Sequence, residues 1–171
     1  MKYVKIVDND NKLNVENLRS LVRYINSVAR HSQTSFKMYS FHSINGVRFN
    51  KKPIENTGCN TSCCALGFAA MYGIGDWEQY NEGEYFQFDN YGGREFTNRT
   101  IEFKDCNGDF LGISEWMVLF SENWTNDIDE FIARAEIVLS GEYDKLQIIE
   151  GDNQYMLNYD YKYDISKPLI T

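Results

Sequence analysis

Apolar residues first recur at three- and four-residue spacing at Val15, Leu18, Leu21, Val22, Ile25 and Val28. This is the repeat of a single helix face. Asn14 is a suitable N-cap, Glu16 suits the positive end of the helix dipole, and Arg30 and His31 suit its negative end. The spacing therefore predicts a helix running to about His31. Ahead of it, residues 3–7 are rich in Tyr, Val and Ile, which fit a pleated surface, and predict a short strand. Residues 36–41 and 47–49 lie on either side of Asn45-Gly46, a turn signal, and allow either a hairpin or a loop.

A second helix is expected from a cap at Asn60 or Thr61 to a stop at Gly73, with Ala65, Phe68, Ala69 and Tyr72 at helical spacing. Its side chains are small at Ala65, Gly67, Ala69 and Ala70, and a Gly inside a helix costs about 0.5–1 kcal/mol. Close packing against another backbone is the expected compensation, which makes this the buried central helix. Residues 73–97 mix Gly, Asn, Glu and aromatics and read as an extended loop region. Alternation over residues 100–105, followed by Asn107-Gly108, predicts a strand and a tight turn. Ser114 is placed to cap a short helix through Trp116 to Phe120. Thr125 or Asn126 is placed to start a longer one carrying Ile128, Phe131, Ile132, Ala135 and Leu139 up to Gly141. Two alternating runs, 146–149 and 155–159, flank Glu150-Gly151-Asp152-Asn153 and predict a C-terminal hairpin. The reading is an α+β chain, one compact domain of about three to four helices with short antiparallel hairpins.

The length of 171 residues suits one core that needs no disulfide staple, and a content of 43% apolar and 15% aromatic residues places the chain among folded proteins. No run approaches the ~18 apolar residues of a spanning helix, and the first residues lack a signal peptide's apolar core, so a soluble, cytoplasmic protein is expected. Charge is strongly divided. Residues 1–75 carry 10 Lys/Arg against 4 Asp/Glu, whereas residues 76–171 carry 7 against 21. Such polarity can steer a partner, or the two halves can neutralise each other within one fold. Arg19, Arg23, Arg30, Lys51 and Lys52 form the basic stretch, but a pI near 4.8 argues against direct nucleic-acid binding.

Thiol chemistry has one place to start. Three of the four cysteines, Cys59, Cys63 and Cys64, gather at the predicted entrance of the second helix, where N–H groups and the dipole would lower a thiol's pKa. His42 and His31 are the only histidines, and both precede the cysteines. Cys59 or Cys64 with His42 is therefore the candidate catalytic set of a cysteine-dependent hydrolase or transferase. Cys59, Cys63 or Cys64, Cys106 and His42 could be assembled into a zinc site, yet their spacing fits no ribbon or finger, so no metal and no cofactor is expected. Asp105, Asn107 and Asp109 imitate the start of a calcium loop, but Phe110 stands where that loop requires Gly, which favours a plain turn.

The residues Phe36-Lys37-Met38, Cys59-Asn60-Thr61-Ser62-Cys63-Cys64-Ala65-Leu66-Gly67-Phe68-Ala69, Leu111-Gly112-Ile113-Ser114 and Leu119-Phe120 carry a resemblance. In order and approximate spacing they resemble a loose set of uncharacterised phage and bacterial proteins. Those share an F-D-M segment, a C-G-T-x-x-C-x-x-G-aromatic-A helix, an L-G-L-S turn and an L-F pair. Here Lys37 replaces the usual Asp and Asn60 the usual Gly. The resemblance implies a related fold and a viral or mobile-element setting, and it brings no activity with it. The function expected is a phage accessory protein that binds and modulates a host protein, by inhibition in the first instance, conceivably a defence factor, without catalysis. Trp77, Tyr80, Tyr85 and Tyr91 of the aromatic loop, with Asp127, Asp129 and Glu130 of the acidic half, are its candidate contact residues. A protein that sequesters a small ligand is the third reading.

Overall fold

Asn14 begins the first helix as its side chain dictates: Oδ1 accepts the Asn17 N–H at 3.0 Å, satisfying one of the unpaired donors of the first turn. Helix α1 (Val15–Ser27) buries Leu18, Leu21, Val22 and Ile25 along one face, and a single 3₁₀ turn, Ala29–His31, extends it to the residue expected. The structure, a computed structural model, describes residues 2–7, 13–32, 34–38, 42–44, 47–49, 61–75, 96–105, 107–121, 124–151 and 154–159. For residues 42–44, 47–49, 61–62, 71, 147–151 and 154–159 the description is of secondary structure only.

The described residues form four α-helices and three sheets, an α+β fold. Strand β1 (Lys2–Val7) pairs antiparallel with β6 (Thr100–Lys104), which pairs antiparallel with β7 (Phe110–Ser114), in the order β1-β6-β7. A second, mixed sheet has the order β2-β5-β3-β4: β2 (Ser35–Phe36) runs parallel to β5 (Thr61–Cys63), and β3 (His42–Ile44) runs antiparallel to both β5 and β4 (Val47–Phe49). The hairpin-or-loop alternative is answered by an antiparallel pairing, Ile44↔Val47, but its first arm is 42–44 and not the 36–41 run expected, of which Phe36 belongs to β2. Strands β8 (Leu146–Gly151) and β9 (Gln154–Tyr159) form the expected C-terminal hairpin.

Two expectations are corrected. The second helix, α2 (Ala65–Met71), starts three to four residues later than a cap at Asn60 or Thr61 would put it, because Thr61–Cys63 is taken up as β5 and Cys64 serves as the cap. Leu111–Ser114, which the resemblance implied to be a turn, lie in strand β7 instead, and Ser114 precedes α3 (Glu115–Phe120) without its side chain accepting a capping hydrogen bond. Helix α4 (Ile128–Ser140) is capped by Asp127, whose Oδ1 accepts from the Asp129 and Glu130 N–H groups at 2.7 and 3.2 Å. It ends at Gly141, whose φ of 74° belongs to the left-handed region.

The core gathers where the helices meet the sheet. Helix α2 is buried from Ala65 through Ala70, and its small side chains let α1 come close. A chain of aromatic contacts crosses the interior from Phe68 through Phe36, Phe131 and Phe120 to Phe96, with ring centroids 5.1–6.3 Å apart. It joins α2, β2, α4 and α3. Ile101, Phe103 and Ile113 cover the inner face of the three-stranded sheet. Arg134 of α4 is fully buried: its Nε donates to the Val118 carbonyl at 2.9 Å, and its guanidinium lies 4.2 Å from the centre of the Trp124 ring. Among the described residues no helix is long and apolar enough to cross a membrane.

Candidate functional site

The cysteine cluster sits at the junction of β5 and α2. Cys63 is the last residue of β5 and is wholly buried, and Cys64 is 2% exposed. The Cys64 thiol is the helix cap itself, with Sγ accepting the Gly67 N–H at 3.4 Å. Burial outweighs that help: it pushes the Cys64 thiol up to about 12, with N–H groups of Gly67 and Leu66 pulling the other way. Burial, and then the neighbouring Cys64, push the Cys63 thiol up as well. Both thiols stay protonated at neutral pH, the opposite of what a nucleophile needs. Of the other candidate catalytic residues, Cys59 lies outside the described residues, and His42 is described only as the first residue of β3, paired with Phe49. Among the described residues no group of three His, Cys, Asp or Glu side chains could hold a metal.

The contact residues proposed in the aromatic segment, Trp77, Tyr80, Tyr85 and Tyr91, all lie outside the described residues. The acidic ones lie together at the start of α4 and have intramolecular partners. Asp127 caps the helix, Asp129 Oδ1 accepts from Arg30 Nη2 at 2.5 Å, and Glu130 accepts a hydrogen bond from the Thr125 hydroxyl. Arg30 of the basic half thus meets Asp129 of the acidic half. Lys5 meets Glu102 in the same way at 3.4 Å, so two of the described ion pairs join the oppositely charged halves. The turn at Asp105 is self-sufficient: its Oδ1 accepts the N–H groups of Asn107 and Asp109, both at 2.8 Å, and Gly108 takes a φ of 87°.

The densest polar chemistry lies elsewhere, where sequence reading placed none. Glu115, at the first position of α3, is fully buried. Its Oε1 accepts from Thr97 Oγ1 at 2.6 Å and Arg99 Nε at 2.8 Å. Its Oε2 accepts from Arg99 Nη2 at 2.7 Å and from the Tyr143 hydroxyl. Arg99 also reaches the Val138 carbonyl at 3.3 Å. Burial, followed by the charge and hydrogen bond of Glu115, pushes the Tyr143 phenol up. The carboxylate is matched on every side, and Tyr3 closes over Tyr143 with ring centroids 5.3 Å apart. This arrangement locks β6, β7, α3 and α4 to one another. The sequence does hold a signal for it. The β6–β7 register, extended by one pair beyond Thr100↔Ser114, sets Arg99 opposite Glu115.

Two exposed apolar features remain. At the C-terminal end of α2 the Tyr72 ring, 43% exposed, lies on Tyr24 of α1 with centroids 3.9 Å apart, and exposed Val28 follows one turn beyond Tyr24. On the outer face of the three-stranded sheet Phe110 is 63% exposed, with Lys104 Nζ 5.7 Å from its ring centre. Comparison with known proteins finds no matching family model, no matching curated protein and no matching solved structure.

Proposed function

We propose that the chain is a phage-type accessory protein that binds a host protein and inhibits it without catalysing a reaction. The observation that carries this reading is the Tyr24–Tyr72 pair. A tyrosine packed at a tilt of 38° against a second one and left 43% exposed offers broad contact area at little entropic cost, which is how aromatic anchors serve protein interfaces. Tyr72 stands five residues before Trp77, so the pair adjoins in sequence the aromatic segment that holds Trp77, Tyr80, Tyr85 and Tyr91. The division of charge supports the same reading by favouring oriented encounter with a partner. The resemblance to phage and bacterial proteins supports a host-directed role. The burial of Cys63 and Cys64 weighs against the cysteine-enzyme alternative.

The test is affinity capture from a bacterial lysate with wild type and a Tyr72→Ala variant, washed at low and high salt. The protein retained is then purified and titrated against both forms. A stoichiometric complex weakened by Tyr72→Ala is expected. A wild type that retains no protein in stoichiometric amount overturns the proposal.

A further inference from the structure

The outer edge of β7 is ordered as a template for one more strand. Antiparallel pairs alternate between those that exchange backbone hydrogen bonds and those that do not. At the two ends of the β6–β7 hairpin the Asp105 N–H donates to the Asp109 carbonyl and the Glu115 N–H donates to the Arg99 carbonyl, both at 2.9 Å. With the register Phe103↔Leu111 and Ile101↔Ile113, the residues of β7 that face β6 are Leu111 and Ile113. Phe110, Gly112 and Ser114 therefore turn their N–H and C=O groups away from β6. Among the described residues no strand pairs with that edge, because the sheet order is β1-β6-β7. Native edges are commonly blunted by a charge, a proline or a bulge. Here β7 is Phe-Leu-Gly-Ile-Ser, with no charge and no proline, and the irregularity of the sheet falls in β1, between Tyr3 and Lys5.

The side chains beside this edge state what would fit. Phe110 stands 63% exposed at one end, and Gly112 puts no side chain in the middle. Lys104 carries its ammonium from β6 across to the Phe110 ring, 5.7 Å from its centre, and so toward the edge. Lys2 pairs with Lys104 in the next strand and adds positive charge to that face; Asp105 and Asp109 stand one residue on, where alternation gives them the other face, and Glu102 is paired with Lys5. We infer that the β7 edge receives an extended acidic segment of the partner protein, which adds as a fourth strand, packs an apolar side chain on Phe110 and sets a carboxylate against Lys104. This rests on the reading of the chain as a binding protein and names the chemistry of what it binds.

Ser114 supplies the decisive variant. Its φ of −64° is already that of proline, its side chain makes no cap, and its N–H faces the edge, so Ser114→Pro removes an edge donor while keeping the hairpin. The probe is a fluorescent eight-residue peptide of repeat Val-Thr-Glu-Thr, which sets valine and glutamate in turn on one face, with lysine in place of glutamate in the control peptide, titrated against the full chain by anisotropy. The acidic peptide is expected to bind, the lysine peptide to bind at least about tenfold more weakly, Lys104→Glu to weaken the acidic peptide about tenfold, and Ser114→Pro to abolish its binding. Thermal melts establish that each variant is folded, and Phe110→Ala, on an exposed position, gives a second loss of binding should Ser114→Pro fail to fold. Equal binding of the two peptides, or unchanged binding to both Phe110→Ala and folded Ser114→Pro, overturns the proposal. So does a wild-type dimer that dissociates in Ser114→Pro, which would assign the edge to a second copy. Should the lysate partner still bind Ser114→Pro and Lys104→Glu undiminished, the edge proposal falls and the binding function stands. Should no lysate partner bind any form, the binding function itself falls.

Discussion

Arg99 grips both carboxylate oxygens of Glu115, through Nε at 2.8 Å and Nη2 at 2.7 Å, across the open end of the β6–β7 hairpin. Glu115 is fully buried and the Arg99 side chain is 14% exposed, so the pair sits where solvent screens little. Its value lies in being complete. Removing the charge of one partner leaves the other buried and uncompensated, so Glu115→Gln is expected to cost about 3–5 kcal/mol in urea denaturation. The double variant Arg99→Met/Glu115→Leu should recover only part of that loss, because it removes the uncompensated charge but leaves the buried Thr97 and Tyr143 hydroxyls without their acceptor. A Glu115→Gln protein within about 1 kcal/mol of wild type would show that the pair does not hold the hairpin to the helices.

The buried thiols set an alkaline limit. For Cys64 the folded-state value, about 12, lies above the ordinary thiol value of 9.0, so the folded chain holds its proton more tightly than the unfolded chain does. Below pH 9 both states are protonated and the stabilisation is fully present. As pH rises toward 12 the unfolded chain ionises first and stability is lost. Cys63 and Tyr143, also pushed up mainly by burial, act in the same direction. The urea midpoint should therefore fall steeply between pH 9 and 11, and less steeply in Cys64→Ala.

Thiol labelling gives an independent check on the same pair. In a Cys59→Ser/Cys106→Ser background, Cys63 and Cys64 should resist a disulfide-exchange reagent at pH 8 in the native protein and react at once in denaturant. Rapid labelling of native protein would contradict their burial and return Cys64 to consideration as a nucleophile.

The Arg30–Asp129 bridge is partly solvated, with the two side chains 30% and 38% exposed. Arg30→Ala should cost no more than about 1 kcal/mol, and most of that should vanish in high salt. A loss that persists at high salt would point instead to the packing of the arginine stem or to its bond with Asn26.

Gly141 tests backbone freedom apart from packing. A Cβ there would meet Ile6 Cδ1 at 3.7 Å, an ordinary contact, yet φ is 74°. Gly141→Ala should therefore lower stability by about 1–2 kcal/mol through conformation alone, and Gly141→Asn by less.

Much of this fold was legible because its signals are local. Asn14 and the 3.6-residue repeat of α1, Gly141 behind α4, and Asn107-Gly108 between β6 and β7 each act within a few residues. The start of α2 was misplaced because Asn60 and Thr61 are better caps by propensity. Pairing of Thr61–Cys63 with β2 and β3 overrides that preference and leaves the cap to a thiol, a weak acceptor. Residues 111–114 hid their strand for a different reason: Gly112 interrupts the alternation, and only the symmetry of the hairpin about Asn107-Gly108 reveals it. Arg134 shares a helix face with Phe131 and Val138, but a charged residue on an apolar face is ordinarily read as solvated, and the Val118 carbonyl that receives it is distant in sequence.

The pairing of β1 with β6 has a consequence for how the chain is made. Tyr3 and Ile6 find Phe103 and Ile101 nearly one hundred residues downstream, so β1 leaves the ribosome well before the strand it pairs with and must wait for it. Closing so long a loop comes late and slowly, after α1 and the β3–β4 hairpin have had time to form from near neighbours. Refolding of the whole chain should accordingly lag behind formation of its helices. A short N-terminal truncation that deletes β1 would leave Ile101 and Phe103 with one uncovered flank, and a chain more prone to join with its neighbours than to finish folding.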